Sequence, residues 1–413
     1  MAQLSLSAKL AILADAAKYD ASCASSGSEK RSSKGKAEGI GSITGAGICH
    51  SYAPDGRCIS LLKLLLTNHC VYDCLYCVNR VSSDVPRARF TPEEVVTLTL
   101  DFYRRNLIEG LFLSSGIIRT PDYTMEQLVR VARSLRTEHN FRGYIHLKTI
   151  PDADPRLIEE AGLHADRLSI NVELPREDSL KALAPQKQAG SIRKAMGGLR
   201  LRLEEAGEEK ARSRRAPRFA PAGQSTQMII GADAADDADI VRSSVALYSG
   251  YKLKRVYYSA YSPIPGSSRT LPARNPPLMR EHRLYQADWL YRFYDFSLED
   301  IVDATSGGML DLAVDPKLAW ALKHRERFPV DVNVAPREAL LRVPGLGVKS
   351  VDHILRARRF GGLDLHDVGK LTKSLKTVSK FIATRDWHPG RTLDSAGLAT
   401  SLRRPAAQQM SLF

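Results

Sequence analysis

From Ser60 onward, short apolar runs alternate with longer stretches in which apolar residues return every three or four positions. Residues 60–66 read as a buried strand. A helix opens at Thr91-Pro92-Glu93-Glu94, with Thr91 as N-cap, Pro92 at the first helical position and Glu94 closing a capping box. The alternation continues with strands over 111–113, 144–148, 167–173, 226–230 and 255–260. Helices are predicted over 124–136, 154–161, 191–205, 236–248 and 280–296. Six strand–helix units within about 240 residues define a parallel α/β sheet. Periodicity leaves open whether that sheet is doubly wound or curls into a partly closed barrel.

Outside this region the pattern breaks. Residues 1–58 read as irregular, with a Ser-, Gly- and Lys-rich stretch over 25–47. Residues 207–224 are rich in Arg, Lys, Ala and Pro and read as an exposed basic loop between a helix and the fifth strand. After Asp303 no further strand is predicted, and residues 303–385 read as a small all-helical domain. Residues 386–413 read as a tail. The predicted organisation is therefore 1–58, 59–302, 303–385 and 386–413.

Composition adds two constraints. The 413 residues carry 60 Lys and Arg against 46 Asp and Glu, a formal net charge of +14. Such an excess favours a polyanionic partner, most simply nucleic acid, because counterion release drives that association. The apolar stretch from Leu10 to Ala17 is short and contains Asp15, so it predicts neither a signal peptide nor a membrane span. A cytoplasmic chain with reduced thiols is expected.

All six cysteines fall in the first fifth of the sequence. Three form Cys70-Val-Tyr-Asp-Cys74-Leu-Tyr-Cys77, directly after the first predicted strand. Ligands bind at the C-terminal ends of strands in parallel α/β folds. Three thiolates can hold three irons of a [4Fe–4S] cluster and leave the fourth open to a small chelator. Zinc with His69 or His50 as fourth ligand is the alternative, but Cys-x3-Cys-x2-Cys is not a usual zinc spacing. Cys23, Cys49 and Cys58 read as buried structural thiols, or as ligands of a second cluster.

The triplet, with Tyr76 before its last cysteine, resembles the radical S-adenosylmethionine superfamily. The resemblance implies a partial (β/α)6, TIM-like barrel and a [4Fe–4S] cluster held by Cys70, Cys74 and Cys77. It also implies S-adenosylmethionine as cofactor, its amino and carboxylate groups chelating the fourth iron, and reductive cleavage to a 5′-deoxyadenosyl radical. A flavodoxin or ferredoxin reductant is expected. Carried over position by position, Tyr76, Ser115, Gly116, Asn171, Glu173 and Gly231 would frame the cofactor. The second strand ends in Ser114-Ser115-Gly116, without the acid usual there, so hydroxyls and carbonyls would hold the methionine amino group. Lys148 and Gln227 are further candidates to point into the barrel.

A second motif lies at Val343-Pro344-Gly345-Leu346-Gly347, between two predicted helices. It resembles the helix-hairpin-helix, in which Gly345, Gly347 and Lys349 would meet a DNA phosphate. Val351 stands where a small residue is common. The C-terminal Gln409-Met410-Ser411-Leu412-Phe413 resembles the peptide by which bacterial proteins dock on the sliding clamp, with Gln409, Leu412 and Phe413 as anchors. Over nearly its full length the chain resembles radical S-adenosylmethionine proteins described as DNA modification or repair enzymes. A uracil-DNA-glycosylase-like partner is associated with these. The expected function is radical chemistry on a DNA base or lesion. The alternatives are an enzyme acting on RNA or protein, or a non-catalytic metal-stabilised DNA-binding adaptor.

Overall fold

The computed structural model describes residues 4–17, 31–32, 42–43, 48–52, 58–264, 266, 268 and 270–403. Cys23 and the clamp-like residues Gln409, Leu412 and Phe413 lie outside the described residues. Two compact units are present. The first comprises residues 1–235 and 246–278, and the second residues 236–245 and 279–413.

The first unit is built on one seven-stranded sheet. Its strands are β3 (Ile48–Tyr52), β4 (Cys58–Leu65), β5 (Gly110–Ser114), β6 (Tyr144–Lys148), β7 (Arg167–Ser169), β8 (Gln224–Ile230) and β9 (Arg255–Ala260). They lie in the order β3-β4-β5-β6-β7-β8-β9. A separate short antiparallel pair joins β1 (Arg31–Ser32) and β2 (Ser42–Ile43). Strands β4 to β9 are parallel throughout, as the six sequence units require. Their strictly sequential order has no point of reversal, so the sheet is not doubly wound. Successive right-handed crossovers then place every connecting helix on the same face, and the sheet curls as a partial barrel.

The connecting helices are α2 (Pro92–Arg104), α3 (Pro121–Thr137), α4 (Pro155–His164), α5 (Glu177–Leu183), α6 (Ala189–Arg212) and α7 (Asp237–Tyr251), of which only the last six residues belong to the first unit. The Thr91 capping box of α2 is formed as read from sequence. Leu62, Leu64, Leu66, Leu111, Leu113, Ile145 and Leu147 are fully buried, and Leu168 with them. Alternation by two turns their neighbours Leu61, Lys63, Leu65, Phe112, Ser114, His146 and Lys148 to the concave face. Burial of both faces explains why β4 reads as a continuous apolar run rather than an alternating one.

Four expectations need correction. Residues 1–58 are not simply irregular. Strand β3 pairs antiparallel with β4, Cys49 opposite Leu61, and α1 (Leu6–Ala17) packs on β4. Helix α1 is tied to the α2 capping box, with Lys9 Nζ 2.8 Å from Glu94 Oε1. The basic stretch 207–224 is helical to Arg212, because Arg200–Glu204 and Arg202–Glu209 pairs extend α6. Strand β7 ends at Ser169 rather than running on to Glu173.

The fourth correction concerns the second unit, which is not all-helical. It contains α8 (Leu278–Phe293, from its second residue), α9 (Leu298–Asp303), α10 (Pro316–Lys323), α11 (Arg337–Arg342), α12 (Val348–Ala357), α13 (Leu365–Leu371) and α14 (Leu375–Val378). It also has a two-residue parallel pair of β10 (Val330–Asp331) with β11 (Ile382–Ala383). Its core gathers Phe296, Trp320, Phe328 and Phe381 edge to face, with ring centroids 5.2 to 6.5 Å apart. Among the described residues, no helix is long and apolar enough to cross a membrane.

Candidate functional site

The loop after β4 is fixed by its own backbone groups. Thr67 Oγ1 donates to Ala88 O at 2.8 Å, and Asn68 Nδ2 to Pro86 O at 2.7 Å. The Arg87 guanidinium, half-buried, donates to the carbonyls of Asn68, Asn79, Arg80 and Ser83, so one cation closes the loop on itself. Leu75 N–H reaches Leu183 O at 2.8 Å, which anchors the loop to the end of α5.

Cys70, Cys74 and Cys77 all line one cavity at the C-terminal ends of the strands. None is in a disulfide. Ile117 N–H points at Cys70 Sγ at 3.4 Å, and Cys77 N–H donates to Cys74 O at 2.9 Å. Burial raises the Cys74 thiol, and loss of solvent pushes Cys77 up to about 12. A metal that takes these sulfurs as thiolates must therefore displace protons.

The residues expected around the cofactor divide into three groups. Tyr76, Ser115, Gly116, Asn171 and Glu173 line the same cavity as the cysteines. Gly116 also has a packing reason to be glycine, since a Cβ there would lie 2.5 Å from His69 O. Gly231 does not line the cavity. Its positive φ of 76° and the closeness of Pro276 Cγ, 2.9 Å from a Cβ placed there, account for the glycine without any ligand. Lys148 and Gln227 do point inward. Lys148 Nζ donates to Gln227 Oε1 at 2.9 Å, and Gln227 Nε2 to Ser259 Oγ at 2.8 Å.

The Ser114 hydroxyl and Asn171 stand where the sequence reading expected them, and one further lining group, Lys187, escaped it. The buried Ser114 Oγ faces the cavity, as does Asn171 Oδ1, and neither has a hydrogen-bond partner. Polar atoms buried in this state are costly unless something satisfies them. Lys187, after α5, forms an ion pair with Glu173. Burial pulls its amine down, but the charge of Glu173, with Tyr76 and Cys74 nearby, outweighs that and lifts Lys187 well above its ordinary range. Glu173 itself sits at φ 68°, an unusual backbone for a residue with a side chain.

Cys49 lies away from this cavity. It packs with Ile59 and Leu61 against Phe112 and Tyr144, and burial raises its thiol. Cys58 is exposed at the start of β4.

In the second unit, α11 and α12 are joined by Val343–Gly347 in a tight turn. Gly345 has φ 88°, and a Cβ there would come within 2.9 Å of Val378 Cγ2. Gly347 is the N-cap of α12, without a side-chain cap. Lys349 is exposed one turn on. The Tyr294 hydroxyl stands beside this terminus, 3.7 Å from the place a Cβ on Gly347 would take. Lys317 supports the turn from below, its Nζ donating to Leu346 O at 2.6 Å.

Burial holds the Lys317 amine down at about 7. An unfolded lysine titrates near 10.4. Between about pH 7 and pH 10 the unfolded chain therefore binds more protons than the folded one. Stability of the second unit should rise with pH across that window, by at most about 1.4 kcal/mol per unit, and be flat below it. Urea unfolding of the wild type and of Lys317→Met checks this, and the variant should lose the slope.

No family model matches the chain. No curated protein matches it either. Among solved structures it is similar to the FeFe-hydrogenase maturase HydG from Carboxydothermus hydrogenoformans, at 16% identity over 54% of this chain and 48% of that one, TM-score 0.40. It is similar to a radical SAM methyltransferase from Sphaerobacter thermophilus, at 16% identity over 58% and 69%, TM-score 0.38. It is also similar to coproporphyrinogen III oxidase (HemN) from Escherichia coli, at 15% identity over 54% and 50%, TM-score 0.33. The chain spans about half the length of the HydG structures to which it is similar.

Proposed function

We propose that the protein is a radical S-adenosylmethionine enzyme that acts on a base or lesion in DNA. The observation that carries the first part is the meeting of three free cysteines from one loop with the unsatisfied Ser114 Oγ and Asn171 Oδ1 in a single cavity. Thiol donors suit an iron–sulfur cluster. Each cysteine would serve its own iron, so the three sulfurs need not converge on one ion. Among the described residues, no three Cys, His, Asp or Glu side chains gather closely enough to hold a single ion. With S-adenosylmethionine chelated, such a cluster supplies the electron that cleaves the sulfonium to methionine and a 5′-deoxyadenosyl radical.

The chain's own groups then have definable tasks. Ser114 and Asn171 would hydrogen-bond the polar end of the nucleoside cofactor. Lys148, held by Gln227, would orient an anionic or carbonyl group inside the barrel. The wall of Leu65, Ile117 and Ile229 would keep water from the reacting atoms.

Support for DNA comes from the net charge of +14 and from the glycine turn ahead of Lys349. That turn resembles a helix-hairpin-helix, a motif that binds backbone phosphate without reading sequence. A flavodoxin- or ferredoxin-like reductant would serve the cluster. The test is anaerobic reconstitution with iron and sulfide, then reduction with dithionite in the presence of S-adenosylmethionine and DNA. The expected result is 5′-deoxyadenosine whose yield rises with DNA. An iron-free chain holding one zinc ion would overturn the enzyme reading. Equal yields with DNA, tRNA and no polymer would overturn the substrate.

A further inference from the structure

Helix α12 carries Lys349, His353 and Arg356, and Phe360 follows its last turn, at steps of i, i+4, i+7 and i+11. A repeat of 3.6 residues aligns the three helical positions on one face, and Phe360 stands in the turn that follows, three residues past the end of the helix. All four side chains are exposed, while Val351 and Ile354 turn the opposite side of the helix into the core. A basic stripe therefore leads from the glycine turn to an aromatic ring.

Phe360 is 93% exposed. It is not on a loose segment. Its N–H donates to Ala357 O at 3.0 Å. Arg358 donates to Val332 O and Ala335 O at 3.1 and 2.7 Å, and Leu363 N–H to Asn333 Oδ1 at 2.7 Å. The turn is thus clamped on both sides of the ring. Val334, within the segment that Arg358 clamps, is 75% exposed. The neighbouring charges are cationic, with Arg356 and Arg359 exposed beside the ring. The acid of this helix, Asp352, is engaged by Arg337 at 3.4 Å.

An apolar ring thus stands fixed in water among cations. It suits a nucleic acid, whose phosphates meet the cations and whose bases offer flat apolar faces. We infer that α12 runs along a nucleic-acid backbone through Lys349, His353 and Arg356, and that Phe360 stacks on a base, either unpaired or at an opened step. The seven steps from Lys349 to Arg356 span about 10 Å along the helix, or about three nucleotides of a strand. The inference rests on the proposed DNA reading and adds to it a specific aromatic contact.

The test is binding of the full-length protein to labelled single-stranded DNA, and to a duplex with one unpaired base, across a range of salt. Phe360→Ala should weaken binding about ten-fold or more, with the salt slope unchanged, because stacking releases no counterions. Phe360→Trp should retain wild-type affinity. Lys349→Ala should weaken binding and lower the salt slope by about one. The ring is almost wholly solvated, so the alanine variant tests contact rather than folding. Wild-type affinity in Phe360→Ala, with a weakened Lys349→Ala, would overturn the stacking contact and leave DNA binding standing. Loss of self-association in Phe360→Ala with DNA binding intact would assign the ring to a protein partner, against the inference. Failure of the wild type to bind either DNA would remove both readings.

Discussion

Cys74→Ser is expected to leave the reconstituted protein colourless, with bound iron falling from about four per chain to near zero. The side chain is buried at the cavity wall, and its loop is locked by Arg87 and by the Leu75–Leu183 hydrogen bond. On the proposed reading Cys70 and Cys77, the other thiols lining that cavity, would each hold an iron of their own and could not take its place. A serine hydroxyl stays protonated near neutral pH and is a poor partner for iron in a sulfide cluster. Formation of 5′-deoxyadenosine should fall by more than about 100-fold, beyond what changes in supporting residues around a metal usually cause. Cys49→Ser provides the contrast. It should keep full iron and lose only packing, because Cys49 sits among Ile59, Leu61 and Tyr144. Iron and sulfide assays on the two variants decide the matter. Equal iron in both would remove the cluster assignment.

The second large effect concerns the pair of Glu173 and Lys187. Their side chains are 11% and 26% exposed. Removing one partner of a buried pair strands the other charge, at a cost of 3–5 kcal/mol when burial is complete. With Lys187 partly in solvent, Lys187→Met should destabilise the first unit by about 3 kcal/mol. Glu173→Gln should cost a similar amount. The double variant should lose much less than the sum, because no charge is then left alone. Urea unfolding followed on the first unit measures all three. Additive losses would mean that the two side chains do not depend on each other. The pair also joins a strand end to the segment that anchors the cysteine loop. Both single variants should therefore reconstitute less iron than the double.

The parallel strands were legible because each is a short apolar run between amphipathic helices, and burial of both faces enforces that pattern. Asn171 and Glu173 line the cavity from beyond the regular strand, which stops at Ser169, so their direction is set by the local backbone, with Glu173 at φ 68°, and not by strand alternation. Strand β3 was not legible. Its Ile-Cys-His-Ser-Tyr segment is an antiparallel edge, and its pairing with β4 depends on a partner some ten residues away rather than on its own composition. Lys187 left no local signal at all. It lies in a short polar stretch, and only the docking of α5 against the cysteine loop brings it to Glu173. Gly231 was legible as a glycine with a backbone reason, and the close approach of Pro276, which only the fold brings there, was not.

By itself, the sequence determined the βα alternation, the spacing of the three thiols and the glycine turn before Lys349. Each of these is local, set by periodicities and bond geometries that span a few residues. Only the tertiary structure decided that the sheet is singly wound, which atoms in the cavity stay unsatisfied, and that a phenylalanine stands in water at the end of a basic helix face. Those properties belong to surfaces made from distant segments, and burial does not exist until the chain has closed on itself.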